Sequence, residues 1–330
     1  MPRNYYGTDG RDVVKQNLNR DYYNIYTYGG ADEISLTLER TYVDAGGGND
    51  KVTSNIEFNN DIFLGSGNDT YTGRGFTDRV NRFDVVHGNN GNDTFNIYTR
   101  ASEYYGDDGR DVFNSVGYWN LIHGGKGRDM VSYALQDDTS QRGRGVFVDL
   151  FHEYATTDGN REEVLINIED VEGTSVGDTL IGDSTSNRLW GRDGFDLLDG
   201  RGGKDKLYGG NGNDKLYGGA NADLLVGGRG SDLLEGGGGK DTFVFNGKAD
   251  SAVGAKRDVI TDFSSSERDK IDLSGFGGLD FIGDADFSGS AGELRFENEI
   301  LAVDTNGDGK ADFEVKLEGV DSLSLNDFIL

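Results

Sequence analysis

Between Gly182 and Asp241, glycine and aspartate recur at a fixed interval. Asp196, Asp205, Asp214, Asp223, Asp232 and Asp241 stand nine residues apart, and Asn187 extends the row one step upstream. The unit is clearest in Gly209-Gly210-Asn211-Gly212-Asn213-Asp214-Lys215-Leu216-Tyr217, which reads Gly-Gly-x-Gly-x-Asp followed by x, a large apolar residue and x. Its last three residues are too few for a helix but enough for a short strand, and the glycine-rich half can only be a turn. A flexible linker would have no use for an apolar residue at every ninth position. The segment is therefore a stack of repeats.

Glycine accepts φ > 0, so several carbonyls can point to one spot where a carboxylate also arrives, and the result is an oxygen cage for a hard cation. The candidate ligands are Gly191, Gly194 and Asp196; Gly200, Gly203 and Asp205; Gly210, Gly212 and Asp214; Gly219, Asn221 and Asp223; Gly228, Gly230 and Asp232; Gly237, Gly239 and Asp241. The middle residue of each strand, Leu198, Leu207, Leu216, Leu225, Leu234 or Val244, is expected to point inward by period-two alternation. On these residues the chain resembles the RTX (hemolysin-type) calcium-binding family. That resemblance implies an all-β fold, a parallel β-roll or β-solenoid. Two nonapeptides would form one coil, turns n and n+2 would stack on one edge, and Ca2+ would be shared between them.

Composition bears on partners. Acidic residues outnumber basic ones 59 to 32, for a net charge of −27, and self-repulsion of that size opposes compaction until cations neutralise it. The same charge repels a phosphate backbone, so nucleic acid is not expected as a partner. With no cysteine and one proline, Pro2, the chain has no disulfide framework, and metal takes the place of staples. No apolar stretch approaches the ~20 residues of a membrane span, and Met1 to Gly7 has no hydrophobic region of the kind a cleavable leader needs.

Four parts are expected. Residues 1–130 carry a looser repeat with motifs ending at Asp12, Asp32, Asp50, Asp69, Asp93, Asp111 and Asp129, at spacings of 20, 18, 19, 24, 18 and 18. This is one motif per coil, so calcium turns are expected along one edge, with other turns such as Asn55 to Asp61 on the opposite edge. The long step predicts a bulging loop from Gly73 to Asp84. Asp12, Asp50, Asp69, Asp93, Asp111 and Asp129 are taken as ligands, and the motif at Asp32 departs most from the glycine pattern. Residues 131–177 read as connecting strands, 178–245 as the regular β-roll and 246–330 as a β-rich cap over its open edges.

Within the cap, Asp304, Asn306, Asp308 and Asp312 occupy positions 1, 3, 5 and 9 of an EF-hand-like loop with Gly309 at position 6, but position 12 is Val315 instead of glutamate. These four are candidate metal ligands. Arg257 to Phe263 and Asp269 to Leu273 resemble the tail of serralysin C-terminal domains. Asp327-Phe328-Ile329-Leu330 looks like the terminal signal of type I secretion, which implies export from a Gram-negative cytoplasm to the extracellular space.

The sequence carries little that points to catalysis. His87, His123 and His152 are outside any His-Glu-x-x-His motif. Gly173-Thr174-Ser175-Val176-Gly177 matches Gly-x-Ser-x-Gly, but a repeat follows where a helix should. His152-Glu153 reads as a strand end. Mannuronan epimerases carry similar rolls, yet their Asp-Pro-His motif cannot occur when the only proline is Pro2. Aromatic residues crowd the first 130 residues, among them Tyr22, Tyr23, Tyr26, Tyr28, Tyr42, Tyr104, Tyr105, Tyr118 and Trp119. Such stripes fill a roll's core or stack sugars. Three functions are compatible with this reading: a non-catalytic binding or adhesion module, with polysaccharide as the first partner to test; a polysaccharide lyase or epimerase with its groove on the N-terminal solenoid; or an export and folding module of a larger secreted enzyme.

Overall fold

The computed structural model describes residues 3–16, 22–56, 59–74, 83–138, 145–157 and 161–330. Two compact units emerge, Met1–Glu172 and Gly173–Leu330. Both are built from short strands, and helical structure among the described residues is confined to four 3-10 turns of three to five residues. None of these is long or apolar enough to cross a membrane.

In the second unit each coil has the length the period of nine predicts. The strand Arg188–Gly194 pairs in parallel with Lys206–Gly212, which pairs with Leu224–Gly230, and each partner lies 18 residues on. The intervening strands Leu197–Asp199, Lys215–Ala220 and Leu233–Gly238 form a second parallel sheet in the same register. This is a parallel β-roll. Leu198, Leu207, Leu216, Leu225 and Leu234 are completely buried between the two sheets, while their neighbours face out. Each such leucine contributes about 1.5–3 kcal/mol by burial. The register does not drift at the end of the row. Phe243, two residues after Asp241, is the inward residue, and Val244 lies on the half-exposed outer side. An antiparallel hairpin, Glu293–Glu297 with Ile300–Asp304, is joined by Phe313–Leu317, which pairs in parallel with Asp258–Ile260.

The first unit is also a parallel roll, with about one motif per coil. One sheet stacks Val13–Lys15, Glu33–Leu36, Lys51–Ser54, Thr70–Arg74, Thr94–Tyr98, Val112–Ser115 and Met130–Ser132. The other stacks Arg3–Tyr6, Tyr22–Tyr26, Tyr42–Asp44, Asp61–Ser66, Val85–Asn90, Glu103–Gly109 and Leu121–Gly127. Bulkier side chains fill this core, including Tyr71, Phe95, Tyr104 and Phe113. Arg161–Ile166 joins the second sheet in parallel beside Leu121–Gly127 and turns antiparallel through Tyr154–Thr157 to Phe147–Asp149. Most of the expected bulge after Gly73, residues 75–82, lies outside the described residues.

Candidate metal centre

Along one edge of the first unit, the backbone N–H of each motif aspartate donates to Oδ1 of the next one. Asp12, Asp32, Asp50, Asp69, Asp93, Asp111 and Asp129 form a continuous ladder at 2.7–2.8 Å, and the 24-residue step from Asp69 to Asp93 does not break it. The second unit has a ladder on each edge. One runs Asp178, Asp196, Asp214, Asp232, Asp258 and the other Asn187, Asp205, Asp223, Asp241, Asp269, at 2.7–2.9 Å.

The ladders use only one oxygen of each carboxylate. Oδ2 of Asp50, Asp69, Asp93, Asp111, Asp129, Asp196, Asp214, Asp223, Asp232 and Asp241 is buried without a hydrogen-bond partner. An ionised oxygen in that state is costly, and native proteins pair it or bring it a metal. Burial first, and then neighbouring aspartates, push Asp196 up to about 8 and Asp223, Asp232 and Asp241 up to about 7. A bound cation reverses that preference by favouring the charged form.

The glycines explain how the oxygens come together. At the first motif position an added Cβ on Gly191 would stand 2.4 Å from Asp196 Oδ2 and 2.7 Å from the Gly209 carbonyl oxygen. On Gly200 the corresponding oxygens are Asp205 Oδ2 at 2.5 Å and Gly218 O at 2.6 Å. A carboxylate oxygen and a carbonyl from the next coil thus converge over a bare Cα. Positions two and four serve stacking. A Cβ on Gly210, Gly219, Gly228 or Gly237 would lie 1.9–2.2 Å from the carbonyl oxygen of the coil below, and one on Gly212 or Gly230 at 1.4–1.6 Å. Gly194, Gly203 and Gly239 at position four are crowded too, with the nearest backbone atom 2.0–2.6 Å from an added Cβ, and Asn221 holds the same place with φ +81°. The donor set, carboxylate plus backbone carbonyl on a tight turn, is that of a calcium site.

Models of two families match the chain. The RTX calcium-binding nonapeptide repeat matches four times, at residues 57–80, 81–96, 105–139 and 181–216, and the peptidase M10 serralysin C-terminal domain matches residues 201–330. The chain belongs to the RTX family. Among solved structures, the AlgE6R3 subunit of the Azotobacter vinelandii mannuronan C5-epimerase is 31% identical over 47% of this chain and 78% of that one, at a TM-score of 0.31. The AlgE6R2 subunit of the same epimerase is 27% identical over 47% and 91%, at 0.27. The extracellular lipase LipA of Serratia marcescens is 18% identical over 79% and 40%, at 0.18. No curated protein matches the sequence significantly.

The rungs of these RTX ladders are not equivalent. Asp12 Oδ2 already accepts the Thr8 N–H at 2.7 Å, and its Oδ1 accepts the Tyr5 hydroxyl. Asp178 is held in the same way by the N–H and hydroxyl of Thr174, so the Gly-x-Ser-x-Gly stretch is the opening turn of a ladder. Each ladder thus begins on a side chain that closes on its own turn, with Asp183 N–H doing so for Asn187. At Asp32, Asp50 and Asp69 the first motif position is Thr27, Ala45 and Leu64, all fully buried, and the Thr27 hydroxyl donates to the Ala45 carbonyl at 2.9 Å. A side chain stands in those three cradles, and they fit a cation less well than those at Asp93, Asp111 and Asp129, whose first residues are Gly88, Gly106 and Gly124.

The opposite edge of the first unit replaces the cation with polar side chains. Thr41 N–H donates to Asn60 Oδ1, Asn60 N–H to Asp84 Oδ1, Asp84 N–H to Ser102 Oγ and Ser102 N–H to Asn120 Oδ1. The second oxygen of Asp84 takes Ser54, Asn60 and Tyr71 as donors. Glu163 ends the row, fully buried, and accepts from Ser115, Asn120 and Tyr133. Asn60 lies in the turn that the sequence places on this edge, but the roles of Thr41, Asp84, Ser102, Asn120 and Glu163 are not legible in the sequence, because no motif links positions 18–24 residues apart.

In the hairpin loop, Asp304 accepts N–H groups from Asn306, Gly307 and Gly309, Asp312 accepts Thr305, Asn306 caps Asp308 and Asp308 caps Lys310. The Thr305 hydroxyl, reinforced by that N–H, holds the Asp312 carboxyl below its usual range. The loop closes on itself, and its oxygens are far less open to a cation than those of the ladders.

The outer face of the first unit carries one aromatic ring per coil: Tyr6, Tyr26, Tyr42, Phe63, His87, Tyr105 and His123, with centroids 4.7–5.9 Å apart. Tyr6 stacks on Tyr26, and His87 on both Phe63 and Tyr105, while the Tyr26–Tyr42, Tyr42–Phe63 and Tyr105–His123 pairs are tilted by 34–44°. Tyr104, by contrast, points into the core. His87 Nδ1 lies 3.0 Å from Asp107, and His152 Nδ1 lies 2.8 Å from Asp149.

Proposed function

We propose that this is a secreted RTX protein that folds on calcium after type I export and acts outside the cell as a non-catalytic binding module for polysaccharide. The observation that carries the reading is the set of buried Oδ2 atoms with no hydrogen-bond partner on Asp93, Asp111, Asp129, Asp196, Asp214, Asp223, Asp232 and Asp241. In a cytosol poor in free calcium, sites with extracellular-range affinity, ~10⁻⁴–10⁻³ M, stay empty and a chain of charge −27 stays expanded and exportable. Outside, each filled site adds about 2.7 kcal/mol when calcium exceeds its dissociation constant ~100-fold. Several sites together rival a net stability of ~5–15 kcal/mol, so folding is steep in calcium.

The test is far-UV circular dichroism during a calcium titration of the EDTA-treated chain, with magnesium as control. A sharp, calcium-specific coil-to-strand transition supports the reading, and a chain fully folded in EDTA overturns it. The polysaccharide part draws on the aromatic ladder, whose rings and hydroxyls recur at the spacing of the coils, and it is tested by pull-down on polysaccharide resins with and without calcium. A second reading, a polysaccharide lyase or epimerase, draws on His87, oriented by Asp107 and stacked on Tyr105. A lyase would release unsaturated uronate that absorbs in the ultraviolet, and an H87A chain would lose that activity. A third role, as export and folding module of a larger secreted enzyme, needs no ligand for either unit.

A further inference from the structure

On the metal-free edge of the first unit, the residue just before each rung of the Thr41, Asn60, Asp84, Ser102, Asn120, Glu163 row is Arg40, Asn59, Phe83, Ala101, Trp119 or Glu162. Arg40, Asn59, Ala101 and Trp119 all have a left-handed backbone there, with φ of 53–60°. Asparagine takes that conformation readily, whereas a bulky aromatic residue in it is an outlier. The turn does not demand tryptophan, since Asn59 and Ala101 hold the same place. Burial does not demand it either, because Trp119 is 58% exposed. Strain of this kind persists where function needs it.

The indole is firmly mounted. Trp119 N–H donates to the Glu162 carbonyl at 2.6 Å, and the Tyr118 ring stands at 79° to the indole with 5.1 Å between centres. Tyr118 is held in turn by Arg100, whose Nη1 donates to its hydroxyl at 3.2 Å and whose guanidinium lies over its ring. The neighbour of Trp119 in its own row is Ala101, which has no ring to stack on the indole, and Phe83, 38% exposed, follows one coil further on. Trp119 and Phe83 are thus two coils apart, about 9.5 Å at the spacing of paired strands. Leu121 pairs with Val164, 45% exposed, and continues the apolar surface along the strand toward His123. Two carboxylates border it, Glu162 level with Trp119 and Glu103 level with Leu121.

We propose that Trp119 and Phe83 form a platform on which the first unit takes a neutral polysaccharide, with the C–H face of one sugar ring on the indole and that of a second on the phenyl ring. Glu103 and Glu162 accept sugar hydroxyls beside it. The same carboxylates, in a chain of net charge −27, repel a polyuronate, and the guanidinium of Arg100 is engaged by Tyr118. The platform rests on the polysaccharide reading given above and adds to it a location and a ligand class.

The test is affinity electrophoresis of the full-length chain at saturating calcium, in gels carrying a soluble β-glucan, a soluble galactomannan or the polyuronate hyaluronan. Wild type is expected to be retarded by a neutral polymer and not by hyaluronan, and W119A and W119N to bind that neutral polymer at least about 10-fold more weakly. Ala101 and Asn59 already occupy the equivalent backbone place, so both substitutions suit the fold, which circular dichroism checks. Should one variant fail to fold, the other decides. Retardation by hyaluronan alone, or retardation of W119A and W119N equal to that of wild type, overturns the platform while leaving the polysaccharide reading in place. A wild-type chain retarded by none of the three overturns both.

Discussion

Replacing Gly209 by alanine separates the cation cradle from ordinary backbone strain. Gly209 does not have a left-handed φ, so alanine is sterically permitted by its own backbone, yet the new methyl would stand 2.5 Å from Asp214 Oδ2 and 2.6 Å from the Gly227 carbonyl. Two effects follow. Overpacking costs about 1–3 kcal/mol whatever the calcium level. Loss of the cation removes about 2.7 kcal/mol at a ~100-fold excess over its dissociation constant, and the gap to wild type widens by about 1.4 kcal/mol with each tenfold rise in calcium. Against a net stability of ~5–15 kcal/mol the combined loss is large. The control is Gly202→Ala, where the added Cβ meets nothing within 4 Å and the effect should stay within about 0.5 kcal/mol. Urea unfolding of both variants at two calcium concentrations gives the answer. A G209A deficit that is the same at both concentrations would mean that the convergence of Asp214 and Gly227 holds no metal.

Three more outcomes are expected. Without metal, the folded-state carboxyls of Asp196, Asp223, Asp232 and Asp241 titrate at about 7 to 8, above the ~3.9 of an unfolded aspartate. Their contribution is then fully present below that lower value and is lost as pH rises through the higher one. Strand content in EDTA, followed by circular dichroism, should be greater near pH 5 than near pH 8, and the reverse order would contradict the burial of these groups. D214N should raise the calcium midpoint of folding more than D12N, because Asp12 is already satisfied by Thr8 and Tyr5; equal midpoints would argue against rungs of different kinds. Glu163→Ala leaves the donors of Ser115, Asn120 and Tyr133 facing a void, at about 1–3 kcal/mol for each group left unpaired, while E163Q costs less. Urea unfolding should show a deficit that persists at saturating calcium, and its disappearance there would mean that this edge also depends on a cation.

The sequence by itself determined the coil. A period of nine with an apolar residue two places after each aspartate dictates a strand and a turn per unit, and the complete burial of Leu198 through Leu234 follows from alternation alone. It also marked most aspartates of the ladders, because only a carboxylate amid glycine carbonyls makes sense of that pattern, but not Asp178, Asp258 or Asp269, which lack the full glycine motif. The tertiary structure decided which of those carboxylates are open. Asp12 and Asp93 sit in similar motifs, yet one closes on Thr8 and the other leaves an oxygen unpartnered. Asp258 lost its motif to an insertion but kept its place in the ladder, and Thr41, Asn60, Ser102 and Asn120 form an edge with no motif at all. The reason is physical. A strand and its turn are set by neighbours in the chain, whereas the partner of each edge oxygen is supplied by the next coil, a full turn of the roll away. Which atom arrives there depends on how the coils stack.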